Sequence, residues 1–172
     1  NGGGDLFPAH FGQHIQSASS SCVSVQNRSW SNGDHGFDHL GSIGTVHVGD
    51  VAWGNTMDGF SIEGSATGTQ LYDCIATDNG LTTGEFDLWV ELSSVSGFVS
   101  DYNVFWNSNG QPPVKYISTL YSLVNDYNVA SGQDAQTIQA DPRFMNPAAA
   151  DFRLQAGSPA IDNANAGVPG FP

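Results

Sequence analysis

Apolar residues alternate over short runs in this chain, and the runs themselves recur at a much longer interval. Val46 and Val48 flank His47, and Phe98 leads into Tyr102 and Val104, the spacing of short half-buried strands rather than of helices. Gly, Asn or Asp follows each run, residues that tolerate the left-handed backbone of a sharp corner. The pairs Val23/Val46, Val25/Val48, Trp30/Trp53, Asn32/Asn55, Gly36/Gly59 and Phe37/Phe60 are all separated by 23 positions. A third copy, Leu71 to Asn79, places Asn79 24 positions after Asn55, and Gly84-Glu-Phe86-Asp-Leu-Trp89 restores the Phe-Asp step. The fourth, Val99 to Asn107, lies 28 positions beyond Asn79, which places an insertion between residues 81 and 91.

A unit of this length cannot bury a hydrophobic face alone. Stacked as rungs roughly 4.8 Å apart, successive units share one core and pair their backbone edges. The pattern therefore predicts an all-β, right-handed parallel β-helix with a single strand path and rungs of about 23 residues. It predicts a ladder of Asn32, Asn55, Asn79 and Asn107 at one corner. Leucine-rich repeats lack support because Leu-x-x-Leu-x-Leu runs are absent, and propeller blades are longer. Residues 1–116 are assigned to rungs, and 117–172 to C-terminal rungs and the closing segment of the same solenoid. The opening Asn1-Gly-Gly-Gly and the end at Pro172 suggest a fragment of a longer chain. Residues 122–131 could hold one or two helical turns around Leu123 and Tyr127.

Composition sharpens this picture in two places. Seventeen acidic residues face four basic ones, for a formal net charge of −13. A phosphate-binding face is therefore not expected, and nucleic acid is a poor partner. An anionic polysaccharide would be repelled too, unless bound cations reversed the local field. Cys22 and Cys74 fall at different phases of the repeat and are expected to be separate thiols. No apolar run approaches membrane-spanning length.

Two closing segments, Asp141-Pro-Arg-Phe144 with Asp151-Phe-Arg-Leu154 and Gly157-Ser-Pro-Ala-Ile-Asp162, resemble the end of secreted parallel β-helix proteins of the pectate-lyase-like superfamily. Within that group, Trp30-Ser-Asn-Gly-Asp-His-Gly-Phe-Asp38 is most similar to a calcium-binding rung of the family 9 polysaccharide lyases. Asp34 and Asp38 match that pattern, whereas His35 replaces its second aspartate. Where the family carries its lysine base after a Gly-Phe step, Gly59-Phe60 is followed here by Ser61.

The resemblance implies a secreted or cell-surface, carbohydrate-associated β-helix that binds an extracellular, uronate-containing polysaccharide. One branch of that expectation is Ca²⁺-dependent lyase cleavage. The other is a non-catalytic surface, adhesion or fibre-forming solenoid, whose open ends would allow end-to-end self-association. A lyase needs a base and a cation that stabilises enolate-like charge. Asp34, Asp38, Asp58 and Asp87, at comparable points of successive rungs, are the expected Ca²⁺ ligands. His35 is the candidate base, and Trp30, Trp53 and His39 are the candidate substrate-binding residues.

Overall fold

The computed structural model describes residues 12–165 and 167–168, so the Asn1-Gly-Gly-Gly opening and Pro172 lie outside the described residues. After β1 (Gln13–Gln16), four turns of chain each lay one short strand in each of three sheets. The first turn carries β2 (Val23–Val25), β3 (Arg28–Trp30) and β4 (Phe37–Leu40). The second carries β5 (Val46–Val48), β6 (Val51–Trp53) and β7 (Phe60–Glu63). The third carries β8 (Gln70–Tyr72), β9 (Ile75–Thr77) and β10 (Leu88–Val90), and the fourth β11 (Val99–Asp101), β12 (Val104–Trp106) and β13 (Val114–Tyr116). The sheets run β2-β5-β8-β11, β3-β6-β9-β12 and β1-β4-β7-β10-β13, all parallel. The expected parallel β-solenoid is therefore the fold, with about four turns.

Left-handed residues stacked at equivalent points make the corners. Gln26, Gly49, Asp73 and Tyr102, with φ of 54°, 67°, 57° and 60°, turn each chain from the first sheet to the second. The next residue ties successive turns together. Asp50 Oδ1 accepts the Asn27 N–H (2.7 Å), and Asn103 Oδ1 accepts the Cys74 N–H (2.9 Å).

The second corner carries the asparagine ladder. The Asn55 carboxamide oxygen accepts the Asn32 backbone N–H (3.1 Å) and side-chain amide (2.8 Å), and Asn79 does the same for Asn55. Asn107 does not continue this series. Trp106 pairs with Thr77, which sets Asn107 opposite Asp78 rather than Asn79. The place at the end of the ladder belongs to Asp87, whose Oδ1 accepts the Asn79 backbone N–H (3.2 Å) and amide (2.9 Å). The expected Phe-Asp step in the third turn shifts for the same reason. The extra residues in the loop 80–85 bring Leu88, not Phe86, into register with Phe60.

Inward-facing side chains fill the tube. Phe37, Phe60, Leu88 and Val114 form one registered column, with the Phe37 and Phe60 rings stacked at 4.8 Å. Ala52, Ala76 and Phe105 form another, and all three are wholly buried. Burial of this apolar column is the main stabilising term of the solenoid.

Beyond β13 the chain departs from the expected C-terminal rungs. Residues 117–118 reverse it into β14 (Thr119–Tyr121), which pairs antiparallel with β13 and occupies the edge a further parallel strand would need. Helix α1 (Val124–Ser131) then packs on the last turn, with Tyr127 wholly buried against Tyr116 (5.4 Å) and Tyr121 (5.7 Å). Residues 134–138 add a partial fifth turn, with Ile138 bridged to Val104. An antiparallel hairpin, β15 (Phe144–Asn146) and β16 (Asp151–Leu154), lies against the side of the solenoid, where Phe152 meets the edges of Trp30 (5.6 Å) and Trp53 (6.3 Å). Both cysteines are free thiols, Cys74 buried and Cys22 only partly so. Among the described residues no helix is long and apolar enough to cross a membrane.

Candidate functional site

Strand alternation decides which side chains leave the core of the long sheet. With Phe37 and His39 turned inward, Asp38 faces out, and register carries that outward position along the sheet. The column so formed is His14, Asp38, Ser61, Trp89 and Lys115, one residue per strand from β1 to β13. Lys115 therefore stands on a strand of this sheet. Its Nζ lies 4.7 Å from the Trp89 ring centre and 5.4 Å from that of Phe86. Ser61, in the position where the resemblance called for lysine, donates its hydroxyl to Glu63 Oε1 (3.3 Å).

Acidic groups from the adjoining corner crowd the β1–β7 end of this column. His35 lies at its centre, with Nε2 3.4 Å from Asp34 Oδ1 and Nδ1 3.3 Å from Asp58 Oδ2. Asp58 is wholly buried, and its Oδ1 accepts the Phe86 N–H (2.8 Å). Across the column, His14 Nε2 is 3.3 Å from Asp38 Oδ2.

Burial disfavours the charged form of His35, Asp38, Glu63 and Glu85, and neighbours decide how far. For His35, burial works against the imidazolium, but the hydrogen bond and charge of Asp58, then the charges of Asp38 and Asp34, outweigh it and raise its pKa. Burial raises the Asp38 carboxyl, against the opposing pull of His35 and His14. Glu63 rises by burial and then by the charge of Asp38. Burial and then the charge of Asp58 also raise Glu85, while Lys115 pulls it down. The face thus holds several carboxyls poised to take a proton or a cation, an imidazole between carboxylates, and one ammonium on an aromatic surface.

The remaining expected residues lie elsewhere. His39 is wholly buried with its ring in the core, out of reach of any glycan. Sequence alternation alone could have shown this, since residues 37 and 39 share a face. Of the four expected Ca²⁺ ligands, Asp34 and Asp58 flank His35 and Asp38 stands beside it. Asp87 stays in the corner, with Oδ1 committed to Asn79. Trp30 and Trp53 stand on the outer face of the β3-β6-β9-β12 sheet, under Phe152. Beside them Trp53, Asp78, Trp106 and Arg143 border an open groove of about 540 Å³ between sheet and hairpin. Glu63, Glu85, Trp89 and Lys115 were missed as site residues. Only a correct register in the third and fourth turns would have found Trp89 and Lys115.

Comparison with family models, with curated proteins and with solved structures gave no match. The residues themselves carry whatever the chain says about function.

Proposed function

We propose that the chain is an extracellular, carbohydrate-associated solenoid of the pectate-lyase-like kind, which binds a uronate-containing polysaccharide along the outward face of its long sheet. The observation that carries this reading is the column Asp38–Ser61–Trp89–Lys115. At roughly 4.8 Å per strand it spans about 14 Å; Asp38 and Ser61 are buried, so a glycan meets it at Trp89 and Lys115. Lys115 offers a cation to a sugar carboxylate, and the partly exposed Trp89 gives the sugar an apolar surface to stack on. The carboxyls and His35 supply groups suited to accepting a proton beside that carboxylate, the chemistry of a lyase.

Binding and cleavage are separable outcomes. Calorimetric titration with oligogalacturonate and oligo-alginate is expected to show binding to at least one of them, and Lys115→Ala is expected to weaken it at least tenfold. Ultraviolet absorbance of new unsaturated uronate ends reports cleavage, and binding without product places the chain among non-catalytic glycan-binding solenoids. Absence of binding to any uronate polymer overturns the proposal.

One observation bears on the alternative of a fibre-forming solenoid. β14 and α1 cover the end of the long sheet and the core at the fourth turn. End-to-end growth there would require both to be displaced.

A further inference from the structure

We propose that His35, Asp38 and Glu63 form a binding site for a borderline divalent cation of the Zn²⁺ class on the outer face of the long sheet. One potential ligand atom from each lies within 4.8 Å of the other two. Zn²⁺, with bonds of about 2.0–2.2 Å, holds neighbouring ligand atoms roughly 3.3 Å apart, so closure asks only for side-chain rotation. Glu63, at the end of β7 and only partly buried, has the freedom to supply it.

Two observations beyond the clustering point to a ligand. Asp38 is 4% exposed, yet among the described residues its Oδ1 has no hydrogen-bond partner, a costly state for a buried carboxylate oxygen. Behind His35, the wholly buried Asp58 holds the Nδ1 side of the ring at 3.3 Å. The Asp58 backbone N–H also lies 3.2 Å from Nδ1, so that edge of the ring is taken up by Asp58 and Nε2 is the nitrogen left to meet an ion; coordination there puts the ring proton on Nδ1, toward Asp58 Oδ2. Asp34, 3.4 Å from Nε2, adds negative charge at the rim.

The chemistry of these donors selects the ion. Ca²⁺ takes six to eight oxygen ligands, and an imidazole nitrogen is foreign to it. One nitrogen and two carboxylates, with a position left open, suit Zn²⁺ holding a water or a substrate oxygen. Of the carboxylates expected to hold Ca²⁺, only Asp38 belongs to this set.

The inference deepens the glycan reading of the same face, but its test contains no glycan, so either can fail alone. The chelator-stripped chain is titrated calorimetrically with Zn²⁺, Mn²⁺ and Ca²⁺ in turn. One Zn²⁺ per chain is expected, bound at least tenfold more tightly than Ca²⁺. Glu63→Gln and His35→Gln should each weaken Zn²⁺ at least tenfold, while Asp151→Asn, in the distant hairpin, leaves it unchanged. X-ray absorption of the zinc-loaded chain should show nitrogen and oxygen neighbours without sulfur, which excludes capture by Cys22. Folding of both variants is checked by far-ultraviolet circular dichroism, and Glu63→Gln decides alone if His35→Gln does not fold. No Zn²⁺ binding, binding indifferent to Glu63→Gln, sulfur in the shell, or Ca²⁺ bound equally tightly would each overturn the proposal.

Discussion

His39 and Asp134 are buried titratable groups whose pKa values move in opposite directions, and each ties stability to pH. A carbonyl only accepts, so His39 Nδ1 donates to the Ser61 C=O (2.9 Å), and Nε2 is left to accept from His47 Nε2–H (2.8 Å). At the other end His47 Nδ1 lies 2.7 Å from Asp50 Oδ2. Burial, then the neighbouring His47, lowers the His39 pKa to about 3. The unfolded chain, titrating near the ordinary value of 6.5, binds more protons between those limits. Its contribution is therefore present above pH 6.5 and lost as pH falls toward 3, about 4–5 kcal/mol at full extent. His39→Gln is expected to flatten the acid limb of a urea stability curve by up to about 1.4 kcal/mol per pH unit. Asp134 works the other way. Burial raises it to about 6, against hydrogen bonds from Thr137, Asn103 and Ser100. The folded state then binds the extra proton between about pH 4 and 6 and gains stability as pH falls through that window. Asp134→Asn removes the gain, so its stability should drop more steeply than the wild type's from pH 6 to 4. Parallel curves for either variant and the wild type would contradict the assignment for that residue.

At the scale of the element, neighbouring turns approach most closely where a strand enters the long sheet. A Cβ on Gly59 would lie 2.7 Å from Asn79 Nδ2 and 2.7 Å from the Asp87 carbonyl oxygen. Asn79 Nδ2 donates to Asp87 Oδ1 (2.9 Å) and the Asp87 carbonyl accepts the Phe60 N–H (2.9 Å), so neither can retreat without breaking a buried hydrogen bond. Gly59→Ala is expected to cost about 2–4 kcal/mol in urea unfolding. Gly84 offers the contrast. Its φ of +80° makes alanine strained, but a Cβ there meets nothing within 4 Å. Gly84→Ala should cost only about 1 kcal/mol. Equal costs would mean that turn-to-turn contact at Gly59 matters less than backbone conformation. The third-turn insertion is another matter at this scale. The loop 80–85 delays the return to the long sheet, and Phe86–Asp87 then precedes the strand instead of starting it.

For the whole molecule, the C-terminal hairpin is the part whose place depends most on a single side chain. Phe152 packs on Phe144 and reaches across to Trp30 and Trp53 on successive turns, forming a second apolar cluster outside the tube. Phe152→Ala should uncover both indoles, shift tryptophan fluorescence to longer wavelength and destabilise the chain by about 2–4 kcal/mol. Retention of wild-type fluorescence would show that the hairpin is held by other contacts. Beyond the fourth turn, β14 and Tyr127 end the long sheet by geometry as well as by burial, since it acquires an antiparallel edge.

The 23-residue spacing of Val23/Val46, Trp30/Trp53 and Phe37/Phe60 was enough to determine the parallel solenoid, the first three members of the ladder and the acid-rich corner around His35. Such features are local and repeat, so that a single period places them. The sequence also contained the reason Asn107 fails to join the ladder, because it follows its tryptophan directly where Asn32 and Asn55 follow theirs by two positions. What the period could not supply was register across the insertion. The third-turn strand begins two residues beyond the Phe-Asp step, so Asp87 went to the corner, and Trp89 and Lys115 to the outer column, only once the turns were stacked. Convergence of His35, Asp38 and Glu63 depends on the same stacking, since Glu63 comes from the next turn. The sequence determined the coil and its corners; the tertiary structure decided which faces meet, because that choice rests on pairing between turns rather than on any pattern within one.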